Sequence, residues 1–434
     1  MQRSEDALCQ FPKITRMRKI TGFAVSCIIL CTAISFWGCI KDKVTKTYTI
    51  ERPIYKPLIE VLAGVNGNAA EPVRSAGKLY IKDKYIFLNE VDKGIHVIDN
   101  ADPSHPVQTA FLSIPGNRDM AVRNNILYAD MYASLLAIDI SDIHHTSVKK
   151  NISNFFTNRR HYNNGTYTDS SQVIIGWVKK DTTITVEPNP QLYTLNGCAN
   201  CSFQASTDAS KASSTGTAGS MAAMVLLNNY LYAITEAHSV GIVNVNNAAA
   251  PTVAGTLNAG LFDLQTMYPF KDKLFLGSAT GMYILDVSDP VHPRSVGQFS
   301  HGRACDPVVT DGTYAYVTLH AGTWCGGTTN ELNVVDVQNV LKPVLMKSYQ
   351  LTKPTGLSKD GNLLFVCDGS DGVKLYDASN VSDLKLLQQI KCNDPYDVIA
   401  ANNHVLVVTK EGLYQYDYSN PRQIKQLSAY SIKQ

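Results

Sequence analysis

Along most of the chain, short runs of alternating apolar and polar residues are separated by turn-forming clusters, and the runs repeat. The segments GIHVIDNADPSHP from Gly94, GMYILDVSDPVHP from Gly281, GVKLYDASN from Gly372 and GLYQYDYSNP from Gly412 share one template. It consists of a Gly, an alternating apolar strand, a polar residue and a Ser/Asn/Pro turn. LLAIDISDI ending near Asp142, GIVNVNNAAAP from Gly241 and LNVVDVQNV from Leu332 are further copies. The polar position falls at Asp99, Asp139, Asn246, Asp286, Asp336, Asp377 and Asp417. Most of the intervals between these positions are one unit of about 40–50 residues. The interval from Asp139 to Asn246 is one unit carrying a long insertion, residues 143–220.

Each unit has the same internal order. A first strand such as Met120–Val122 or Pro307–Thr310 leads to a turn at Asn124-Asn125, Asp311-Gly312 or Asp360-Gly361. Such pairs supply the positive φ angles of tight hairpins. A second strand follows (Ile126–Ala129, Leu231–Thr235, Leu363–Cys367, Val405–Thr409), then the Gly-to-Asp strand, then a fourth such as Arg294–Gln298 or Pro343–Tyr349. Four short antiparallel strands per unit are the pattern of a propeller blade. A lone four-stranded sheet leaves both faces wet, so the blades stack around an axis and cover each other. The expectation is an all-β, seven-bladed β-propeller over residues 74–434, closed because closure removes exposed edges. Two smaller rings or an open solenoid are the alternatives.

The strand VVDV (Val334–Val337), with LAID and YILDV beside it, resembles the LVIVD repeat of bacterial propeller proteins. That resemblance covers the repeats and implies architecture much more than activity. The repeated Asp has a structural reading: its carboxylate opens the turn by accepting N–H groups two residues on, which Asn246 can also do.

The first forty residues read differently. Ile20 to Gly38 is uncharged and mostly apolar, and follows Arg18-Lys19, as in an export signal. Met17 directly precedes that cationic pair and is read as the start, with residues 1–16 lying upstream of it. Gly38-Cys39 resembles a bacterial lipoprotein cleavage site, which implies lipidation of Cys39 after removal of residues 1–38. Phe36 and Trp37 depart from the usual box, and the run is also about the ~20 residues that span a bilayer, so an uncleaved anchor is the alternative. Ile40-Lys41-Asp42-Lys43 partly resembles the stretch that sends Bacteroidota lipoproteins to the cell surface. Residues 39–73 are read as a lipid-anchored stalk with a strand at Pro57–Leu62. These readings place the body at the outer membrane, tethered by lipid.

Composition adds little beyond this. Net charge is +2, from 39 basic and 37 acidic residues. No basic surplus favours nucleic acid as a partner. No GxSxG elbow, HExxH helix or P-loop occurs, so no catalytic residue is assigned. Four first strands begin with an Asp: Asp119, Asp263, Asp306 and Asp397, with Thr355 in that place in another unit. If the first strand is innermost, these carboxylates gather at one mouth of the channel. There they would either fix neighbouring blades or hold a hard cation such as Ca²⁺. No other cofactor is expected. His301, His320 and Trp324 belong to the same mouth and would contact a ligand.

Cysteines point to an oxidising compartment: after Cys39 the body has Cys198, Cys201, Cys305, Cys325, Cys367 and Cys392. Cys305–Cys325 and Cys367–Cys392 each fall at one end of a blade and are read as disulfides; Cys198-Ala-Asn-Cys201 is read as a local one. The insertion also carries an expected hairpin, Val173–Val178 with Thr182–Val186. Three functions remain open: a binding scaffold gripping a glycan, peptide or protein, an envelope glycan lyase or hydrolase using axial carboxylates, and a structural subunit of an outer-membrane complex.

Overall fold

The computed structural model describes residues 44–157, 162–163, 166–167, 171–186, 217–258, 260, 262–304, 307–322 and 327–431. Cys39, Cys198, Cys201, Cys305, Asp306, Trp324 and Cys325 lie outside the described residues.

Contacts divide the chain into two units. In the smaller unit, the described part is a two-stranded ribbon in which Thr49 donates to Asp181 at 2.8 Å and the hydroxyls of Thr47 and Thr183 meet at 3.1 Å. Its strands belong to Val44–Pro57 and Gln172–Val186, which pair with each other. The sequence pattern suggested a hairpin inside Val173–Val186; instead that stretch is one strand whose partner is the segment read as a stalk.

The larger unit contains seven four-stranded antiparallel blades in chain order. Blade 1 runs from Ala76–Lys82 to Val107–Ser113, blade 2 from Met120–Arg123 to Ser147–Ile152, and blade 3 from Met224–Leu227 to Thr252–Leu257. Blades 4 and 5 run from Leu264–Phe270 to Arg294–Ser300 and from Val308–Thr310 to Val344–Gln350. Blades 6 and 7 run from Pro354–Asp360 to Lys385–Ile390 and from Pro395–Ala401 to Lys425–Ser431. The first strand of each blade is innermost.

The ring closes by packing blade 7 on blade 1, not by sharing strands. Leu79, Ile86, Leu88 and Ile98 form one core cluster with Ile399, Leu406, Val408 and Leu413. The Tyr396 hydroxyl donates to the Ala76 and Gly77 carbonyls, Ser428 Oγ donates to the Pro103 carbonyl at 2.7 Å, and Tyr430 donates to Gln108 at 2.5 Å. A single closed ring therefore replaces the alternatives of two rings or a solenoid.

The repeated side chain, Asp in six blades and Asn in one, behaves as a turn opener in all seven. The N–H groups of Ala101, Ser141, Asn246, Ser288, Gln338, Ser379 and Ser419 donate to Asp99, Asp139, Asn244, Asp286, Asp336, Asp377 and Asp417 at 2.7–2.9 Å. The blade 3 acceptor is Asn244, not Asn246: Tyr230 pairs with Asn244, which fixes the strand end two residues earlier. Bonds from Ser288's hydroxyl and N–H hold the Asp286 carboxyl down to about 2. Between third and fourth strands every blade carries a bulge, which sharpens the blade's twist.

In blades 2 and 3 a tyrosine at the third position of the second strand joins the next blade. Tyr128, fully buried, donates to the Ala248 carbonyl of blade 3 at 2.9 Å. Removing only this hydroxyl, Tyr128→Phe, is expected to cost about 1 kcal/mol, since the half-buried Ala248 carbonyl loses its partner. Urea denaturation reads this as a lowered midpoint at constant m-value, and an unchanged midpoint would mean the bond adds nothing.

Two sequence expectations are corrected here. Pro57–Leu62 is not a strand: Leu58–Ala63 is a short helix after Pro57, whose φ of −55° suits a helix start. Val61 and Val65 are buried, and Thr146 of blade 2 donates to the Val65 carbonyl at 3.2 Å. Gly67–Asn68 then adds to the outer strand of blade 1 opposite Leu112 and Phe111. Only glycine fits at 67, because a Cβ would lie 1.8 Å from the Ile143 carbonyl oxygen. Second, Cys367 and Cys392 are free thiols. Cys367 pairs with Val373, and Val373 pairs with Ile390, so a whole strand separates the two cysteines. Two strand spacings are roughly 10 Å, beyond the ~7 Å Cα limit for a disulfide.

Candidate functional site

All innermost strands begin at one mouth of the channel, and that mouth is closed by the chain itself. Residues 217–223, the end of the insertion and the three residues after it, run down the axis against the inner strand of blade 1, with Thr217 and Ala218 opposite Ile81 and Tyr80. The segment then turns into Met224–Leu227, the inner strand of blade 3. Along the way it is held by five blades. Gly219 N–H donates to Leu79 O at 2.9 Å, and Met267 N–H donates to Ala222 O at 3.0 Å. Ser220 Oγ accepts the Leu357 N–H at 2.5 Å, and Ala223 N–H donates to Asp119 Oδ2 at 2.7 Å. Asp397 accepts the backbone N–H of Ser220. Small side chains make this route passable: a Cβ on Gly219 would sit 1.8 Å from Asp397 Oδ2.

Two members of the aspartate set lie beneath this plug. Asp119 is 1% exposed, and its Oδ2 meets the Lys78 ammonium at 2.6 Å. Asp397, also 1% exposed, accepts the Val398 N–H at 3.0 Å. Burial pushes the Asp397 carboxyl up to about 7, against the lowering influence of the Val398 and Ser220 N–H groups and Lys78; the nearby Asp119 adds to the rise. Lys78, Asp119, Gly219, Met221 and Asp397 leave no room for a water molecule among them. Thr355, which stands in the same place in blade 6, donates to the Pro395 carbonyl of blade 7 at 2.9 Å.

Asp263 does not join them. It sits a third exposed on the rim with φ +50°, its carboxylate 3.7 Å from Arg303. The described carboxylates do not fit a Ca²⁺ site: a cation at Asp119 would have to displace an ammonium and an N–H group. Among the described residues no three His, Cys, Asp or Glu side chains are grouped to hold a metal.

The same mouth carries the longer connections. His301 lies there, its Nδ1 bonding the Gly302 carbonyl at 2.6 Å and its ring 6.1 Å from Phe299. His320 is half-buried, and burial followed by the Lys353 charge lowers its pKa. The insertion leaves blade 2 at this mouth too, after Ile152, and Tyr132 there donates to the Ile174 carbonyl at 2.8 Å.

Sequence reasoning missed a second set of carboxylates. Glu90, Asp130 and Asp368 fall near the ends of second strands and are buried. Each accepts two successive backbone N–H groups before its own blade's inner strand: Arg74 and Ser75 for Glu90, Arg118 and Asp119 for Asp130, Thr352 and Lys353 for Asp368. Burial raises the Glu90 carboxyl, yet bonds from His96 and those N–H groups outweigh it and hold it low. The available signal was an acid closing an apolar strand. The plug also had one, the small-residue run TAGSMAA before MVLL.

These features define a seven-bladed β-propeller whose channel is filled by its own insertion. Within that class, the LVIVD repeat model matches residues 73–110, 275–300 and 301–351, which cover much of blade 1, part of blade 4 and blade 5. No curated protein matches the chain. Among solved structures, the chain is similar to the computationally designed Ika8 protein at 9% identity and TM-score 0.51, covering 85% of this chain and 92% of that one. A Lactobacillus plantarum protein matches at 12% identity and TM-score 0.47, over 76% of this chain and 87% of that one. BamB from Moraxella catarrhalis matches at 8% identity and TM-score 0.46, over 86% and 98%. At these identities the likeness concerns the fold alone.

Proposed function

We propose that the protein is a non-catalytic cell-envelope scaffold, tethered by lipid at Cys39, that binds a glycan, peptide or protein partner through the propeller face bearing the insertion. The observation that carries this reading is the plug. The insertion returns through the axis and is bonded to five blades, so whatever it presents is based on rigid structure, as binding loops on a scaffold are. The same observation weighs against a glycan lyase or hydrolase working through axial carboxylates, because Asp119 and Asp397 lie sealed beneath residues 217–223.

Replacing residues 187–216 with a short Gly-Ser linker keeps both the ribbon strand and the plug. Glycan and peptide arrays probed with the protein should show a partner that the linker variant loses, with thermal unfolding unchanged. Equal binding by both proteins would move the interaction elsewhere on the molecule.

A further inference from the structure

Seven interfaces built from one repeat should look alike, so a departure at one of them marks something the repeat does not require. On the face opposite the plugged mouth, the carbonyl just past each turn-opening acid is met by the preceding blade. Tyr128 reaches Ala248 at 2.9 Å, Tyr232 reaches Pro290 at 3.1 Å and Tyr349 reaches Val381 at 2.7 Å. Gln388 reaches Arg422 at 3.2 Å, Ser428 reaches Pro103 at 2.7 Å, and Gly297 packs so close to Val340 that a Cβ would lie 1.8 Å from its carbonyl oxygen. Blade 1 breaks the pattern. Phe87 stands at its Tyr128 position, as Phe275 does in blade 4, but the group that meets the Ile143 carbonyl is not from the preceding blade: it is Gly67, from the segment before blade 1. Between blades 1 and 2 a cleft of about 660 Å³ remains, within the range of roughly 300–1,000 Å³ typical of small-ligand sites.

Its chemistry is specific. Phe87, Ile140 and Ile143, all buried, supply an apolar floor. Thr109, Asn124, Asn125 and Ser141 supply neutral donors and acceptors along the walls. Both lysines in the walls are paired with a carboxylate: Lys82 with Asp83, and Lys84 with Asp99 Oδ2 at 2.5 Å; Asp142 Oδ2 bonds His145 Nδ1 at 2.8 Å. No lysine in the walls is left over for an anionic ligand. Nor is a strand edge offered to a peptide. The N–H groups of Ile140, Ser141 and His144 are taken by Asn125 O, Asp139 Oδ1 and Asp142 Oδ1.

We infer that the cleft between blades 1 and 2 is a binding site for a neutral carbohydrate. A pyranose has an apolar C–H face for the floor and uncharged hydroxyls for the amide and hydroxyl walls. This site uses none of residues 187–216, on which the scaffold reading is tested, so it stands whether or not that reading does.

The test is calorimetric titration of the full-length protein in detergent. The probes are neutral tetrasaccharides of glucose, mannose, xylose, galactose and N-acetylglucosamine, with tetragalacturonate and the peptide Ser-Gly-Ser-Gly for comparison. At least one neutral sugar should bind. Asn125→Trp, which fills the cleft from an exposed turn, should weaken it by about tenfold or more, as should Ser141→Trp from the other wall. The Gly-Ser replacement of 187–216 should leave it unchanged. The inference is overturned if no neutral sugar binds at about 10 mM, far weaker than sites of this size normally achieve. Binding of tetragalacturonate or the peptide alone, or full affinity in both tryptophan variants, would also overturn it.

Discussion

Asp119→Ala should destabilise the propeller by about 3–5 kcal/mol, the range for removing one partner of a buried ion pair. Asp119 is the point where three parts of the molecule meet. Its Oδ2 holds the Lys78 ammonium of blade 1 at 2.6 Å and the Ala223 N–H of the plug at 2.7 Å, and its Oδ1 accepts the Met120 N–H of its own blade at 2.8 Å. Truncation takes the carboxylate away from a buried ammonium and from two backbone donors, all in a space that admits no water. Against a total stability of about 5–15 kcal/mol, that loss is large. The double variant Asp119→Ala/Lys78→Met removes the charge as well and should recover much of it. Urea midpoints of the two variants decide the matter. A single variant within about 1 kcal/mol of wild type, well inside the range of ordinary surface substitutions and pairs, would show that the pair does not hold the plug.

What could be read in advance depended on how local each feature is. The blades were legible because strand alternation, the Asp turn and the Asn/Asp/Gly hairpins are each specified within a few residues. Asn124, Gly312 and Gly361 do adopt the positive φ the pattern required. The offset at blade 3 arose where local information was ambiguous: VNVNNAAAP offers Asn244, Asn246 and Asn247, all able to open a turn, and only pairing with Tyr230 selects the first. The free thiols have a similar cause. Placing Cys367 and Cys392 at the same end of blade 6 is a statement about strand direction, whereas a disulfide depends on lateral distance, which Val373 interrupts.

The axial site was legible only in its ingredients. Asp119 and Asp397 stood out as acids heading inner strands, but nothing near them in sequence says that residues 217–223 will arrive between them. Those contacts join Gly219 to Leu79, Ser220 to Leu357 and Asp397, and Ala222 to Met267. They come from blades far apart in the chain, and the segment itself is a run of small residues that local pattern assigns to a loop. Glu90, Asp130 and Asp368 were hidden for a different reason: a buried acid that satisfies backbone N–H groups carries no distinctive spacing, only position at the end of a strand.

Between about pH 5 and 7 Asp397 should cost the protein stability as pH rises, and Asp397→Asn should remove that contribution. The sign follows from the direction of the shift. Burial pushes the Asp397 carboxyl up to about 7, while an unfolded Asp titrates near about 3.9. Across that window the folded chain holds a proton that the unfolded chain has released. Stability therefore falls with pH by up to about 1.4 kcal/mol per unit, then levels off above the folded value. Charged and titratable groups around Asp397 are Lys78, Asp119, Cys367 and Tyr396, and burial also raises the Cys367 thiol and the Tyr396 phenol, so neither ionises in this window. Carboxyls held low, such as Glu90 and Asp286, act in the opposite direction, but their contribution is complete above about pH 5 and falls away only below it. His320, whose pKa burial lowers, gains stability with pH in the same range, so the plug is isolated by comparing urea midpoints of wild type and Asp397→Asn at pH 5.5 and pH 8: wild type should lose stability relative to the variant at the higher pH. An amide keeps an acceptor for the Ser220 and Val398 N–H groups without taking on charge beneath Gly219. If wild type and Asp397→Asn changed alike between pH 5.5 and pH 8, the carboxyl under the plug would already be ionised in the folded state, and Lys78 would have to be shared between Asp119 and Asp397.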